Sequence, residues 1–144
     1  MNISNAAVDT VFAKYADKDV DIQSLGEPDR SVILSISAQG IIDSGGFITF
    51  LEDDIQEGVD YQWFVDAYRN IGMAQLATNF AEILSLFPEG KPQVDLEERQ
   101  THLARFFDDE SPEYINILGA LENAFFDNNE SVYGAAEAYI AAKS

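Results

Sequence analysis

The stretch Ser31–Ile42, with the sequence SVILSISAQGII, decides the fold because it places apolar side chains on nearly every face of a helix. A helix that is apolar all round is typical of the centre of a protein. The alternative is a buried strand over Val32–Ile36, where β-branched residues dominate. The length of the apolar segment favours the helix.

Segments on both sides of this stretch carry apolar residues at helical spacing. They are Val8, Val11, Phe12 and Tyr15; Tyr61, Phe64, Val65 and Tyr68; Leu76, Phe80, Ile83, Leu84 and Phe87; and Tyr114, Ile117, Leu118, Leu121 and Phe125. Asp95, with Glu98 three residues later, predicts the start of a more polar helix. Residues 131–142 form an Ala-rich helical segment. The sequence predicts an all-α fold, in which residues 1–144 form a single bundle-like domain of about seven to eight helices.

Composition excludes several classes of protein. The 144 residues include no cysteine, which excludes disulfides, thiolate zinc sites and a cysteine nucleophile. The N-terminal residues lack the basic and apolar regions of a signal peptide, and the chain has no 18-residue apolar run. We therefore expect a cytoplasmic protein without a membrane partner.

The charge is strongly negative and unevenly distributed. The chain has 26 acids and 8 bases, a net charge of −18. Arg69 is the only base between Ser31 and Gly90, a stretch that contains nine acids. No base at all lies in residues 106–142, which contain eight acids. Such a charge repels nucleic acid and anionic lipid and attracts basic partners, although it also serves simple solubility.

No motif predicts catalysis, a metal or a cofactor. The pattern D-x-D-x-D at Asp17–Asp21 resembles the start of a calcium loop, but Ile22 and Pro28 stand where glycine and glutamate are needed. His102 is the only histidine, and a helix-surface position explains it better than general-base catalysis. Gly45-Gly46 lacks the lysine of a phosphate loop and is interpreted as a helix-breaking turn. We expect that the protein is not an enzyme.

A family resemblance centres on residues 37–50, SAQGIIDSGGFITF. This segment resembles the small bacterial DNA-mimic-protein-like domain family, whose members carry a helix ending in Asn-Gly-Gly-Phe, an aromatic-rich short helix and a later Ile-Gly-Ala. The matching residues are Gly45, Gly46, Phe47, Phe50, Ile71 and Gly72. Ser44 and Met73 depart from the pattern, standing where Asn and Ala are usual. The likeness extends over about residues 32–88, with a weaker helical continuation to Phe107.

The resemblance implies an α-helical, dimeric protein whose acidic side chains imitate DNA phosphates. Those acids are not part of the family motif, so the resemblance assigns no individual carboxylate. The total charge is suitable, because B-DNA as long as a domain of this size, on the order of 35–40 Å, carries about 20 phosphates.

We therefore expect an acidic protein-binding module that occupies the nucleic-acid-binding face of a basic protein such as a transcription factor. One alternative is an immunity or antitoxin protein that neutralises a basic toxin. Others are an acidic domain without a charge-based function and an unrecognised enzyme. In every binding hypothesis the partner is a protein and not nucleic acid itself. The predicted partner-binding residues are Glu52, Asp53, Asp54, Glu57, Asp60, Asp108, Asp109 and Glu110.

Overall fold

The computed structural model describes residues 6–15, 21–52, 60–85, 87, 92, 95–108, 119–123, 125 and 132–143. All regular secondary structure within them is helical, which confirms the predicted all-α fold. The α-helices are α1 (Ala6–Tyr15), α2 (Asp29–Leu51), α3 (Gln62–Asn70), α4 (Ala74–Leu84), α5 (Leu96–Asp108) and α6 (Val132–Lys143). A 3-10 turn at Ile22–Ser24 precedes α2, and residues 119–123 are also helical.

Helix α2 is the centre of the fold, as its apolar composition predicts. Its buried residues include Ser31, Val32, Ile33, Leu34, Ser35, Ile36, Ala38, Gln39 and Ile42. The alternative of a strand over Val32–Ile36 is wrong. A buried strand needs partner strands for its backbone hydrogen bonds, whereas a helix satisfies its own N–H and C=O groups internally.

A kink at Gly46 divides α2 into a long helix and the short continuation Phe47–Leu51. Gly46 has φ 80° and ψ −178°, a backbone conformation open essentially only to glycine. The predicted break at Gly45-Gly46 is therefore confirmed. The kink redirects the chain so that Phe47 and Phe50 are both buried, at 0% and 2% exposure.

An aromatic cluster around Phe80 of α4 forms the core. The Phe80 ring lies 5.1 Å from that of Phe47 and 5.7 Å from that of Phe50, centroid to centroid, with both pairs edge to face. Phe64 stacks on Phe80 at 6.1 Å, and Phe125 packs against Phe47 at 5.0 Å. Such pairs contribute about 0.5–1.5 kcal/mol each beyond the burial of their area. Through this cluster, α2, α3 and α4 pack against one another and against Phe125.

Helices α3 and α4 pack against each other and are joined by a tight turn at Gly72. Gly72 has φ 90°, and the N–H groups of Gly72 and Met73 donate to the carbonyls of Arg69 and Tyr68 at 3.0 and 2.9 Å. This pair of bonds is the Schellman motif, which favours glycine at the left-handed position. The predicted apolar faces are confirmed, because Phe64 and Tyr68 of α3 and the five predicted positions of residues 76–87 are buried.

The remaining helices lie near the two ends of α2. At its start, Asp29 accepts a hydrogen bond from Lys14 of α1, and Tyr139 of α6 donates to Glu27 at 3.0 Å. At its end, Leu51 is contacted by α5. The part of α2 before the kink, residues 29–45, is itself about 24 Å long at 1.5 Å per residue.

Candidate functional site

The structure describes only part of the predicted acidic site. Glu52 follows the end of α2 and Asp60 precedes α3, and both residues are exposed. Asp108 is the last residue of α5, but its side chain lies outside the described part. Asp53, Asp54, Glu57, Asp109 and Glu110 lie wholly outside the described residues. Whether these eight residues bind a partner stays a prediction.

Arg99 of α5 contacts the residues on either side of residues 52–60, which we name the acidic connector. Its side chain is 1% exposed. Its Nε–H donates to the Leu51 carbonyl at 2.5 Å, and its guanidinium carbon lies 5.2 Å from the centre of the Tyr61 ring. Beside it, the side-chain amide of Gln100 donates to the Glu52 carbonyl at 2.7 Å. These contacts bring the end of α2 and the start of α3 against α5.

The start of α5 adds further acids to this region. Asp95, Glu97 and Glu98 are exposed, and the Asp95 carboxylate accepts the Glu98 backbone N–H at 2.9 Å. This bond confirms the predicted helix cap. We name the exposed acids gathered here the acidic end: Glu52, Asp60, Asp95, Glu97 and Glu98.

Two members of the acidic end also have structural roles. Asp95 caps α5, and Asp60 accepts the backbone N–H of Gln62 at 2.8 Å at the start of α3. Acids at helix N-termini are stabilising because they satisfy free N–H groups and complement the helix dipole. Glu52 lies instead at the end of a helix, where a negative charge is unfavourable. Its exposed position there is therefore not explained by capping.

Ion pairs between two described residues lie elsewhere in the molecule. Lys14 pairs with Asp29 at 2.9 Å, and Arg69 lies 3.8 Å from Asp66 within α3. The pKa of Asp29 is lowered: burial opposes this shift, but the hydrogen bonds from Tyr15 and Lys14 outweigh it. The Lys14–Asp29 pair therefore joins α1 to α2, whereas the Arg69–Asp66 pair lies within one helix.

A buried polar network inside the core was not predicted from sequence. The Tyr68 hydroxyl donates to the Gln39 side chain at 3.0 Å, and Gln39 in turn donates to Asp43 at 2.8 Å. Burial, with the nearby charge of Asp43, raises the pKa of Tyr68 well above its ordinary value. The phenol therefore stays protonated and acts as a donor that fixes α3 against α2.

The described residues contain no cluster of histidine and acidic side chains that could hold a metal ion. Asp21 is exposed, whereas Asp17 and Asp19 of the calcium-like pattern lie outside the described part. His102 packs its ring against Phe87 at a centroid distance of 5.1 Å. This aromatic packing gives the only histidine a role in the fold.

Helix α6 presents a different kind of surface. Its exposed residues are Tyr133, Ala138, Ala141, Ala142 and Lys143. Tyr133, at 41% exposure, is the one exposed large hydrophobic residue in the described chain. The only acid of α6, Glu137, is half-buried and accepts the backbone N–H groups of Ala7 and Val8. The exposed residues of α6, which we call its outer face, are therefore apolar except for Lys143 and include no acid.

Comparisons with known proteins give one positive result. A model of the family described as DMP19-like protein matches residues 23–143, which include every α-helix except α1. No curated protein matches the chain. No solved structure matches it either. None of the helices in the described part combines the length and the apolar character that crossing a membrane requires.

Proposed function

This chain belongs to the DMP19-like protein family, and from that premise we propose that it acts as a DNA mimic. In this role it is an acidic protein-binding module that occupies the nucleic-acid-binding face of a basic protein such as a transcription factor. The expected compartment is the cytoplasm. The family is not a known family of enzymes, which agrees with a function in binding.

The acidic end is the observation that carries this proposal beyond the family. It gathers exposed carboxylates from the end of α2, the start of α3 and the start of α5. The one base among these contacts, Arg99, is withdrawn from the surface and donates to a backbone carbonyl. The exposed charge of this region is therefore negative, which attracts a basic surface and accelerates encounter with it.

The dimensions of α5 are compatible with a DNA-like charge array. Asp108 lies ten residues beyond Glu98 in the same helix, a rise of about 15 Å. Paired phosphates of the two DNA strands occur about every 3.4 Å along the duplex axis, so this rise corresponds to about four base pairs. The length of α5 between these two positions is therefore comparable to a short run of phosphates on DNA.

Competition with DNA tests the proposal. The immobilised chain is exposed to nuclease-treated host lysate at low salt, and the bound proteins are eluted with a salt gradient and identified. A captured protein is then purified and bound to labelled duplex DNA. Mimicry is supported if this chain displaces the DNA at one fixed stoichiometry and if its affinity for the captured protein falls as the salt concentration rises. A captured protein that keeps its DNA contradicts mimicry, and a partner retained through high salt favours the immunity alternative.

We also propose that two copies associate through the outer face of α6. A chain with a net charge of −18 repels a second copy wherever acids face each other. In the described chain, α6 combines an acid-free outer face with the exposed ring of Tyr133. Pairing there leaves the acidic end, which adjoins the other end of α2, open to the basic partner.

A further inference from the structure

Arg99 is a buried charge in a helix whose sequence predicts a polar surface. Taking a guanidinium out of water is costly unless its hydrogen bonds are made inside the protein. Here its Nε–H donates to the Leu51 carbonyl, one of the carbonyls at a helix end that lack intrahelical partners. Its planar guanidinium group lies over the ring of Tyr61, a residue that is 7% exposed.

These two contacts fall on either side of the acidic connector. Leu51 is the last residue of α2, and Tyr61 immediately precedes α3. The chain between them includes Glu52 and Asp60, and one side chain from α5 holds both ends of that chain. Gln100 adds a second tie on the same side through the Glu52 carbonyl.

We propose that Arg99 is the positioning residue of the acidic end. Its side chain fixes the two ends of the connector against α5, so that carboxylates from three helices face the same partner. This inference rests on the proposed function, because it assigns Arg99 a role in presenting acids to a basic protein. Preorganisation of this kind raises affinity by removing the ordering cost from the binding step.

The substitution Arg99→Met separates positioning from folding. Methionine fills a similar volume, and its unbranched, flexible side chain adapts to irregular space in a protein interior. The variant keeps every carboxylate of the acidic end but loses the hydrogen bond to Leu51 and the cation over Tyr61. Arg99→Lys is the conservative comparison, since lysine can restore a charged donor to the carbonyl but not the planar contact.

Two spin labels measure positioning without any partner. The chain has no cysteine, so Gln62→Cys and Thr101→Cys provide unique labels on exposed positions of α3 and α5. We expect a narrow distance distribution between the labels, a broad one with Arg99→Met, and an intermediate one with Arg99→Lys. An unchanged distribution with Arg99→Met would overturn the inference. If Arg99→Met does not fold, Arg99→Lys decides with the same two labels, and a distribution as narrow as that of the wild type would then overturn the inference.

Binding gives the second readout. Affinity of Arg99→Met for the DNA-binding protein captured by the wild type should fall about tenfold, since the connector ends must then be ordered on binding. Affinity equal to that of the wild type contradicts the inference. If the wild type captures no DNA-binding protein, the proposed function fails, and the label distances still show whether Arg99 positions the connector.

Discussion

The carboxylate of Glu122 accepts a hydrogen bond from the backbone N–H of Phe47, the first residue after the kink in α2. The N–H groups at the start of a helix have no intrahelical partners, so this carboxylate caps the short helix Phe47–Leu51. Oε2 of Glu122 also lies 3.1 Å from the position that a Cβ on Gly46 would occupy. The Gly-Gly-Phe segment thus accommodates both a helix break and a carboxylate from a distant part of the chain.

Replacement of Gly46 should be costly for two reasons. Its φ of 80° with ψ of −178° is unfavourable for any other residue, and an added methyl group crowds the Glu122 carboxylate. We expect Gly46→Ala to lower the free energy of unfolding by about 1–3 kcal/mol, measured by urea denaturation.

The control for this prediction is Gly40→Ala in the same helix. Gly40 is exposed and a Cβ there meets no atom within 4 Å, so alanine should stabilise the helix by up to about 1 kcal/mol. Equal effects of the two substitutions would contradict the special role assigned to Gly46.

The pH dependence of stability should report the Glu122 carboxyl. Burial raises its pKa, and the hydrogen bond from Phe47 only partly opposes this shift. Between the ordinary and the raised pKa the folded state therefore binds more protons than the unfolded state, so the contribution of this group to stability falls as pH rises. Glu122→Gln keeps an acceptor for Phe47 but does not ionise.

We expect the stability of Glu122→Gln relative to the wild type to increase as pH rises through this window. The difference should stay below about 1 kcal/mol, because the carboxyl is only half-buried and solvent screens it. Thermal unfolding at a series of pH values measures it. A difference that is constant with pH contradicts the raised pKa.

Periodic features of the fold were predictable, whereas contacts between distant segments were not. The faces that include Phe64, Tyr68 and Phe80 follow from apolar spacing, since a regular helix repeats locally. The contact between Glu122 and Phe47 joins residues that no local period relates. Arg99 was unpredictable for the same reason. The sequence predicts an exposed side chain because Arg99 is a charged residue in a polar helix, whereas the packing of α5 on α2 buries it.

The candidate site likewise contains residues that the sequence could identify and residues that it could not. Charge counting drew attention to Glu52 and Asp60, and both are exposed. The sequence assigns Asp95 and Glu98 to a helix cap and predicts no role for Glu97. Asp95 does cap the helix, but Glu97 and Glu98 also lie next to the connector ends because Arg99 and Gln100 bind the end of α2. That neighbourhood depends on tertiary packing and has no signal in the local sequence.

Removal of the Glu137 carboxylate should loosen α1. Glu137 of α6 accepts the N–H of Val8 at 2.6 Å and that of Ala7 at 3.3 Å, and so caps α1 from another helix. We expect Glu137→Ala to cost about 1 kcal/mol, as loss of a helix cap does, and to speed amide hydrogen exchange within α1. Glu82→Ala on the exposed face of α4 removes the same charge and should leave exchange in α1 unchanged.

Neutralising the acidic end should weaken binding of a DNA-binding partner without unfolding the chain. Glu97→Gln with Glu98→Gln removes two exposed charges next to the connector. We expect a fall of about tenfold in the association rate at low salt, because electrostatic steering is reduced. Surface plasmon resonance against the captured partner measures this rate.

The matched control is Asp9→Asn with Glu27→Gln, which changes the net charge equally near the start of α2. The control variant should retain the wild-type association rate. Equal losses in the two double variants would mean that total charge, and not the acidic end, determines binding.

A negative charge on the outer face of α6 should separate the proposed dimer. Tyr133→Glu places two like charges in the contact between copies and removes the exposed ring, so the mass in analytical ultracentrifugation should fall from twice the chain mass to the chain mass. Thr78→Glu adds the same charge to an exposed position of α4 and should leave the dimer intact. A wild-type protein that sediments as a monomer at all concentrations, or a dimer that survives Tyr133→Glu, would exclude α6 as the contact. Because α6 and the acidic end adjoin different ends of α2, Tyr133→Glu should also leave the association rate of the captured partner unchanged.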